Sequence, residues 1–118
     1  MRARVRLPAP RKYRNQPQVV DGLPFDSKKE AARYQELKLL QAAGQISNLV
    51  ANKKELRYDL YVNDELICAY EADFQYDEKF GDFTWAKVVE DVKGMRTAAY
   101  RIKKKLMKAI FGIEIREV

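Results

Sequence analysis

The chain has 118 residues, of which 47% are hydrophobic, and a net charge of +6 with no histidine and a single cysteine. This length suits one domain with one modest core, and the lone Cys68 excludes an internal disulfide and favours a reducing, cytoplasmic location. The missing histidine excludes Ser-His-Asp triads, histidine zinc sites and histidine general bases, so any metal must be a hard ion such as Mg²⁺ or Mn²⁺ on oxygen ligands.

Residues 1–18 are predicted to form a basic, extended N-terminal arm, and residues 19–118 a single domain. Six of the 23 basic residues and no acid lie in the first 14 positions, so the rest of the chain is neutral. Such an arm either contacts a polyanion, with nucleic acid the leading candidate, or is a solubilising tail. Its candidate DNA-binding residues are Arg2, Arg4, Arg6, Arg11, Lys12, Tyr13 and Arg14.

No apolar run approaches the roughly 18 residues that a membrane span needs. The basic N-terminus also lacks the apolar segment of a secretory signal. We therefore expect no membrane partner, and no motif in the chain indicates an organic cofactor.

A first helix is predicted over residues 27–43. Ser27 and Glu30 have the spacing of a capping box, in which the serine caps the helix and the glutamate reaches back. Apolar residues then recur at helical spacing, and Gly44 is a natural C-terminal stop. The cations of this helix, Lys28, Arg33 and Lys38, are predicted to point mostly outward.

Three strands joined by hairpins are predicted next, after an irregular apolar connection at residues 46–49. Residues 56–62 alternate between apolar and polar side chains, and Asn63-Asp64 marks a tight turn. The second strand is predicted at 66–76, followed by a loop at 77–84. The third strand is predicted at 85–93.

A second helix is predicted at about 97–110, with Thr97 as a possible cap, and a short last strand at 113–118. A helical crossover makes the third and last strands parallel, which predicts an α/β fold with a central mixed sheet flanked by helices. The helix carries a run of cations that either forms a solvated face or contacts phosphates. We take Arg101, Lys104, Lys105 and Lys108 as candidate nucleic-acid-binding residues.

Charged residues in the second and third predicted strands could converge on one face of the sheet. Asp91 and Lys93 are two residues apart and share a face, with the backbone carbonyl of Val92 between them, and an antiparallel neighbour could bring Asp73 beside them. Carboxylates on a rigid sheet can hold a hard cation, and a nearby lysine can neutralise developing charge. The alternative is an ordinary ion pair on an exposed sheet face.

The segments around these residues resemble the PD-(D/E)XK nuclease superfamily, whose core has the order αβββαβ. Within it, the chain is similar to a family of small bacteriophage proteins related to Holliday-junction resolvases. The matching segments are residues 12–15, 25–31, 34–37, 91–94 and 99–105, and the resemblance covers roughly residues 12–118. One departure is Ala72, which stands where the motif has proline.

This resemblance implies a restriction-endonuclease-like core and four catalytic residues, Glu30, Asp73, Asp91 and Lys93. Asp73 and Asp91 would be ligands of one or two Mg²⁺ or Mn²⁺ ions, together with the Val92 carbonyl and with Glu30 directly or through water. Glu30 retains its alternative role as a helix cap, in which case Glu36 is the next candidate. The remaining polar neighbours on the second strand, Glu71 and Gln75, could support the ligands.

The resemblance further implies a structure-selective DNA endonuclease, specifically a Holliday junction resolvase that acts as a homodimer on branched DNA. A dimer provides paired nicks on two strands of a junction. Two other functions stay open from the sequence. One is a nuclease for flaps, duplex or single strands, and the other is a non-catalytic DNA-binding protein on a nuclease-like scaffold.

Overall fold

The computed structural model describes residues 16–93 and 95–118, which form two helices and eight strands. The arm positions predicted to contact DNA, residues 2–14, lie outside this range. The first elements are β1 (Gln18–Val20), β2 (Leu23–Phe25), α1 (Lys28–Ala42), β3 (Ile46–Val50), β4 (Arg57–Val62) and β5 (Glu65–Glu71). They are followed by β6 (Phe74–Phe80), β7 (Thr84–Asp91), α2 (Ala98–Phe111) and β8 (Arg116–Glu117).

The largest sheet has four strands in the order β3-β6-β7-β8. The β3–β6 and β6–β7 pairs are antiparallel, whereas β7 and β8 are parallel because α2 carries the chain across between them. The mixed α/β architecture with a mixed sheet is therefore confirmed. The elements that build this sheet and its flanking helices follow the order helix, three strands, helix, strand.

The identity of two of those strands was predicted incorrectly. Residues 46–50 form β3, an edge strand, instead of an irregular connection. Its pairing register shifts between Ser47 and Val50, and Asn48 has a φ of 55°. This irregularity interrupts the period-two pattern by which a strand is recognised in a sequence.

The predicted 66–76 strand is in fact two strands in different sheets. β5 pairs only with β4, in a separate two-stranded sheet, while β6 begins at Phe74 and pairs with β3 and β7. β6 also continues to Phe80, so the residues predicted as a loop at 77–80 are paired with β7. No glycine or proline lies between β5 and β6, so no turn signal marks the change of sheet.

The two helices pack on opposite faces of the four-stranded sheet, which gives two core clusters instead of the one predicted. Val88 belongs to the cluster that contains Tyr34 and Leu37 of α1, and its neighbour Val89 to the cluster that contains Met107 of α2. Adjacent strand residues point to opposite faces. Along β7, Glu90 therefore faces α1 and Asp91 faces α2.

Both helix starts were predicted correctly. The Ser27 hydroxyl accepts a hydrogen bond from the Glu30 N–H, and the Thr97 hydroxyl accepts one from the Tyr100 N–H. These caps satisfy backbone donors that have no partner in the first helical turn. Within residues 16–93 and 95–118, neither helix is long and apolar enough to cross a membrane.

Arg33 does not point outward as predicted. Its guanidinium donates two hydrogen bonds of 2.8 Å to the fully buried Glu90 carboxylate, to which Tyr76 also donates. This paired donor geometry is what makes a buried carboxylate tolerable on the apolar α1 face. The contact also fixes the end of β7, from which Asp91 projects to the other side.

Candidate active site

The site lies where the central strands β6 and β7 meet the N-termini of both helices. Phe74 at the start of β6 pairs with Glu90 near the end of β7, so the antiparallel register sets Asp73 beside the last residues of β7. An open cleft of about 350 Å³ is formed there. Its lining comprises Asp26, Glu30, Lys53, Ala69, Tyr70, Glu71, Asp73, Asp91, Val92, Lys93, Thr97, Ala99, Tyr100 and Lys103.

Asp73 and Asp91 are brought together as predicted. Both are buried, and each carboxyl affects the pKa of the other. One oxygen of Asp73 accepts a hydrogen bond of 2.8 Å from the Val92 N–H, and one oxygen of Asp91 accepts one from the Tyr70 hydroxyl. Each carboxyl is thus oriented by a neutral hydrogen-bond donor.

Lys93 joins this pair, also as predicted. Its ammonium lies 2.9 Å from Asp91 Oδ1 and 3.8 Å from the centroid of the Tyr100 ring. A cation over an aromatic face is held by the ring quadrupole, so two contacts fix the position of this charge. The Lys93 carbonyl accepts a hydrogen bond of 3.1 Å from the Lys29 ammonium, which ties the start of α1 to the same corner.

The two aspartates are unusually weak acids for their type. Burial, assisted by the neighbouring Asp73 carboxyl, raises the pKa of Asp91 to about 6. Burial and then the charge of Glu30 raise the pKa of Asp73. Both shifts have the cause expected for like charges held close together away from water, and perturbed carboxyls of this kind are concentrated at functional sites.

Glu30 lies at the same cleft but is separated from the aspartate pair by a lysine. One Glu30 oxygen accepts a hydrogen bond of 2.9 Å from the Asp26 N–H, so the reach-back of the capping box goes to the residue before the cap. The Lys53 ammonium lies 3.4 Å from the other Glu30 oxygen and 3.2 Å from Asp73 Oδ1. Glu30 therefore acts as a helix-end acceptor and as one wall of the cleft.

Lys53 is the site residue that the sequence did not reveal. It precedes β4 in a turn with no periodicity, and nothing in its neighbourhood distinguishes it from the adjacent Lys54. Burial alone would lower the pKa of Lys53, but the hydrogen bond to Asp26 and the charges of Asp73 and Glu30 outweigh this and raise it. Lys53 is therefore a fixed positive charge in the cleft.

Of the other acids and amides predicted near the site, only Glu71 lines the cleft. The Gln75 side chain instead accepts a hydrogen bond of 2.6 Å from the Tyr58 hydroxyl. Glu36, the alternative to Glu30, is exposed on α1 and pairs with Arg33 at 3.0 Å, so it is not brought to the cleft.

The predicted cations of α2 share one groove, of about 520 Å³, beside the site. Two of them are ion-paired: Lys104 with Glu117 at 3.2 Å and Lys108 with Glu114 at 2.9 Å. Arg101 and Lys105 form no ion pair with any residue in the described part of the chain. Within this groove, these two are the cations best placed to meet an external phosphate.

The sequence matches the family described as "Protein of unknown function (DUF1064)" over residues 10–117. The chain belongs to the DUF1064 family. Neither the curated proteins nor the solved structures provided a match to it.

The aspartate pair suits a divalent cation. Among residues 16–93 and 95–118, no three acidic or thiol side chains form a metal site by themselves. Mg²⁺, however, is commonly bound by one or two carboxylates that leave positions for water and substrate phosphate. Asp73 and Asp91 provide such a pair, and a cation between them would favour the charged form of both carboxyls, which burial disfavours. Val92 lines the cleft beside them.

We expect Asp91→Asn to stabilise this DUF1064 protein at pH 8 in the presence of a chelator. An acid with a folded-state pKa of about 6 and an unfolded pKa near 3.9 opposes folding once the pH exceeds both values. The destabilisation of the folded state by Asp91 is absent below about pH 4, grows between about pH 4 and 6, and reaches about 3 kcal/mol above that. Urea denaturation at pH 4.5 and pH 8 measures it.

The matched control for that variant is Asp82→Asn, which changes an exposed aspartate in the turn between β6 and β7. It should leave the free energy of unfolding unchanged at both pH values. A variant Asp91→Asn that is destabilised equally at pH 4.5 and pH 8 would show that Asp91 is a structural ion-pair partner of Lys93 and not a strained carboxyl.

Proposed function

We propose that this chain is a Mg²⁺- or Mn²⁺-dependent endonuclease that hydrolyses phosphodiester bonds in DNA. The observation that carries the proposal is the buried Asp73–Asp91 pair with Lys93 against it, at the floor of an open cleft. Burial raises the pKa of both carboxyls, and stability alone gives no reason to set two together. The resemblance to PD-(D/E)XK nucleases supplies the same three positions from the sequence.

The side chains have distinct tasks in such a reaction. A divalent cation bound by Asp73 and Asp91 would supply the charge that polarises a scissile phosphate and acidifies an attacking water. Tyr70 and the Val92 N–H hold the two carboxyls in fixed orientations. Lys93, held by Asp91 and the Tyr100 ring, places a positive charge where negative charge develops on the phosphate oxygens.

The cationic surroundings of the cleft fit a polyanionic substrate. Lys103 lines the cleft, Lys29 donates to the Lys93 carbonyl, and Arg101 and Lys105 lie in the groove of α2 next to the cleft. Contacts of lysine and arginine with phosphates position a nucleic acid without reading its bases. This favours a substrate chosen by shape, and we infer a branched DNA, with the Holliday junction as the specific case and a homodimer as the acting species.

The test is cleavage of a synthetic four-way junction with Mg²⁺ or Mn²⁺, compared with a flap, a plain duplex and a single strand of matched sequence. Preferential, symmetric nicking of the junction supports the proposal in full. Faster cleavage of a flap, duplex or single strand would support a nuclease activity but assign it a different substrate. DNA binding without cleavage in the presence of either metal would overturn the proposed enzymatic activity and indicate a non-catalytic DNA-binding protein.

We expect the double variant Arg101→Gln/Lys105→Gln to bind the junction more weakly and with a shallower salt dependence. Each phosphate contact that is lost lowers the slope of log K against log salt by about 0.9, so the two changes should lower it by nearly 2. Fluorescence anisotropy over a salt series measures this slope. Lys79→Gln, an exposed change on β6 at the opposite end of the sheet, should leave it unaltered.

A further inference from the structure

Lys53 holds its ammonium group among three carboxylates. Its Nζ lies 2.7 Å from Asp26 Oδ2, 3.2 Å from Asp73 Oδ1 and 3.4 Å from Glu30 Oε1. The side chain is 28% exposed, so most of it is enclosed by the cleft. Three carboxylates from separate positions therefore share the positive charge of one ammonium group.

The backbone keeps this lysine in place. The Leu56 N–H donates to the Lys53 carbonyl and the Glu55 N–H to the Asn52 carbonyl, while the Lys54 N–H donates to the Asn52 side chain. Leu56 itself is 3% exposed and anchors the turn in the core cluster under α2. The ammonium is therefore presented by a hydrogen-bonded turn and not by a loose loop.

Asp73 divides the cleft into two cation positions. Its Oδ1 pairs with Lys53, while its Oδ2 accepts the Val92 N–H on the side of Asp91 and Lys93. A carboxylate between two cation positions is the arrangement of two-metal hydrolytic sites. In this chain, one of the two positions already contains the Lys53 charge.

We propose that the Lys53 ammonium takes the place of a second metal ion, so that each chain binds a single divalent cation, on the Asp73–Asp91 side. This inference rests on the proposed metal-dependent function and deepens it by assigning the metal number. Glu30 and Asp26 then act as positioning residues that hold Lys53 and contact no metal. Because the second charge is tethered to the chain, it needs no free metal to be present.

Mn²⁺ stoichiometry tests this without any measurement of activity. Calorimetric titration of the full chain with Mn²⁺ should give one ion for the wild type and two for Lys53→Gln, which opens the position beside Glu30. Electron paramagnetic resonance should show an isolated Mn²⁺ in the wild type and an exchange-coupled pair in the variant. The stoichiometry should stay at one in Lys53→Arg, which retains the charge, and in Lys54→Gln, the exposed neighbour.

Two Mn²⁺ ions in the wild type, or an unchanged stoichiometry in Lys53→Gln, would overturn the inference. In both of these cases, Mn²⁺ binding that is lost in Asp73→Asn would still support the proposed metal-dependent function. If neither the wild type nor any variant binds Mn²⁺, both the inference about Lys53 and the proposed metal-dependent function are overturned. If Lys53→Gln does not fold, reductive methylation of the wild-type protein with and without saturating Mn²⁺ tests the inference instead. Lys53 should be methylated at the same rate in both conditions. Faster methylation with Mn²⁺ would show that the metal displaces the Lys53 ammonium and would overturn the inference.

Discussion

Asp73→Asn is expected to lower cleavage of the four-way junction by at least about 10³-fold and to abolish Mn²⁺ binding. The substitution retains the shape of the side chain and an oxygen that can accept from the Val92 N–H. It removes the charge that the carboxyl presents to the cation beside Asp91. Loss of a charged metal ligand costs several kcal/mol of transition-state stabilisation, and each 1.36 kcal/mol is a factor of ten in rate.

Single-turnover cleavage with saturating enzyme measures the effect on the chemical step, and calorimetry measures the metal. Asp82→Asn provides a control with the same chemical change at an exposed turn, and it should cleave at the wild-type rate. Thermal unfolding should show Asp73→Asn to be at least as stable as the wild type, because a buried carboxyl with a raised pKa is removed. A cleavage rate within tenfold of the wild type would exclude Asp73 as a metal ligand.

The parts of the fold with a local signal were predictable from the sequence. Ser27 and Thr97 lie at helix starts in the structure because the side chain of each accepts a hydrogen bond from a local backbone N–H. The two-residue spacing of Asp91 and Lys93 predicted that they lie together, and their charged groups are 2.9 Å apart, although β7 ends at Asp91 and not at Lys93 as predicted. Each of these predictions depends on residues no more than a few positions apart, where chain geometry alone fixes the outcome.

The parts that failed depend on contacts between distant segments. β5 and β6 are indistinguishable by alternation, and what separates them is that β5 pairs with β4 while β6 inserts between β3 and β7. Arg33 was expected in solvent because its buried partner, Glu90, is 57 residues away. Lys53 was missed for the same reason, since its carboxylates come from α1, from the preceding loop and from the start of β6.

The role of Glu30 also depends on a contact between distant segments. Its position three residues after Ser27 is correct for a cap, and its carboxylate does reach the cleft. Whether a carboxylate at a cleft binds a metal ion depends on whether a neighbouring cation already neutralises its charge. Only the three-dimensional arrangement shows the Lys53 ammonium between Glu30 and Asp73.

Lys93→Gln is expected to lower the single-turnover cleavage rate by roughly 100-fold while leaving Mn²⁺ binding intact. The lysine supplies charge to the developing transition state, and loss of one such positioned group typically costs about 3 kcal/mol or somewhat more. Glutamine retains a side chain that can donate to Asp91. Because the cation that competes for Asp91 is removed, Mn²⁺ affinity should stay the same or increase, in contrast to the loss expected in Asp73→Asn.

In Lys93→Gln, cleavage should fall while Mn²⁺ binding is retained. This combination distinguishes a residue that stabilises the transition state from a metal ligand or a structural ion-pair partner. Lys87→Gln, which changes an exposed lysine on β7, serves as the control and should change neither quantity. Lys93→Arg should also cleave poorly, since the planar guanidinium cannot occupy the point position of an ammonium 2.9 Å from Asp91 and 3.8 Å from the Tyr100 ring centroid. A Lys93→Gln protein that cleaves normally but unfolds at a lower temperature would make Lys93 a structural partner of Asp91 and would leave the chemistry to the aspartates alone.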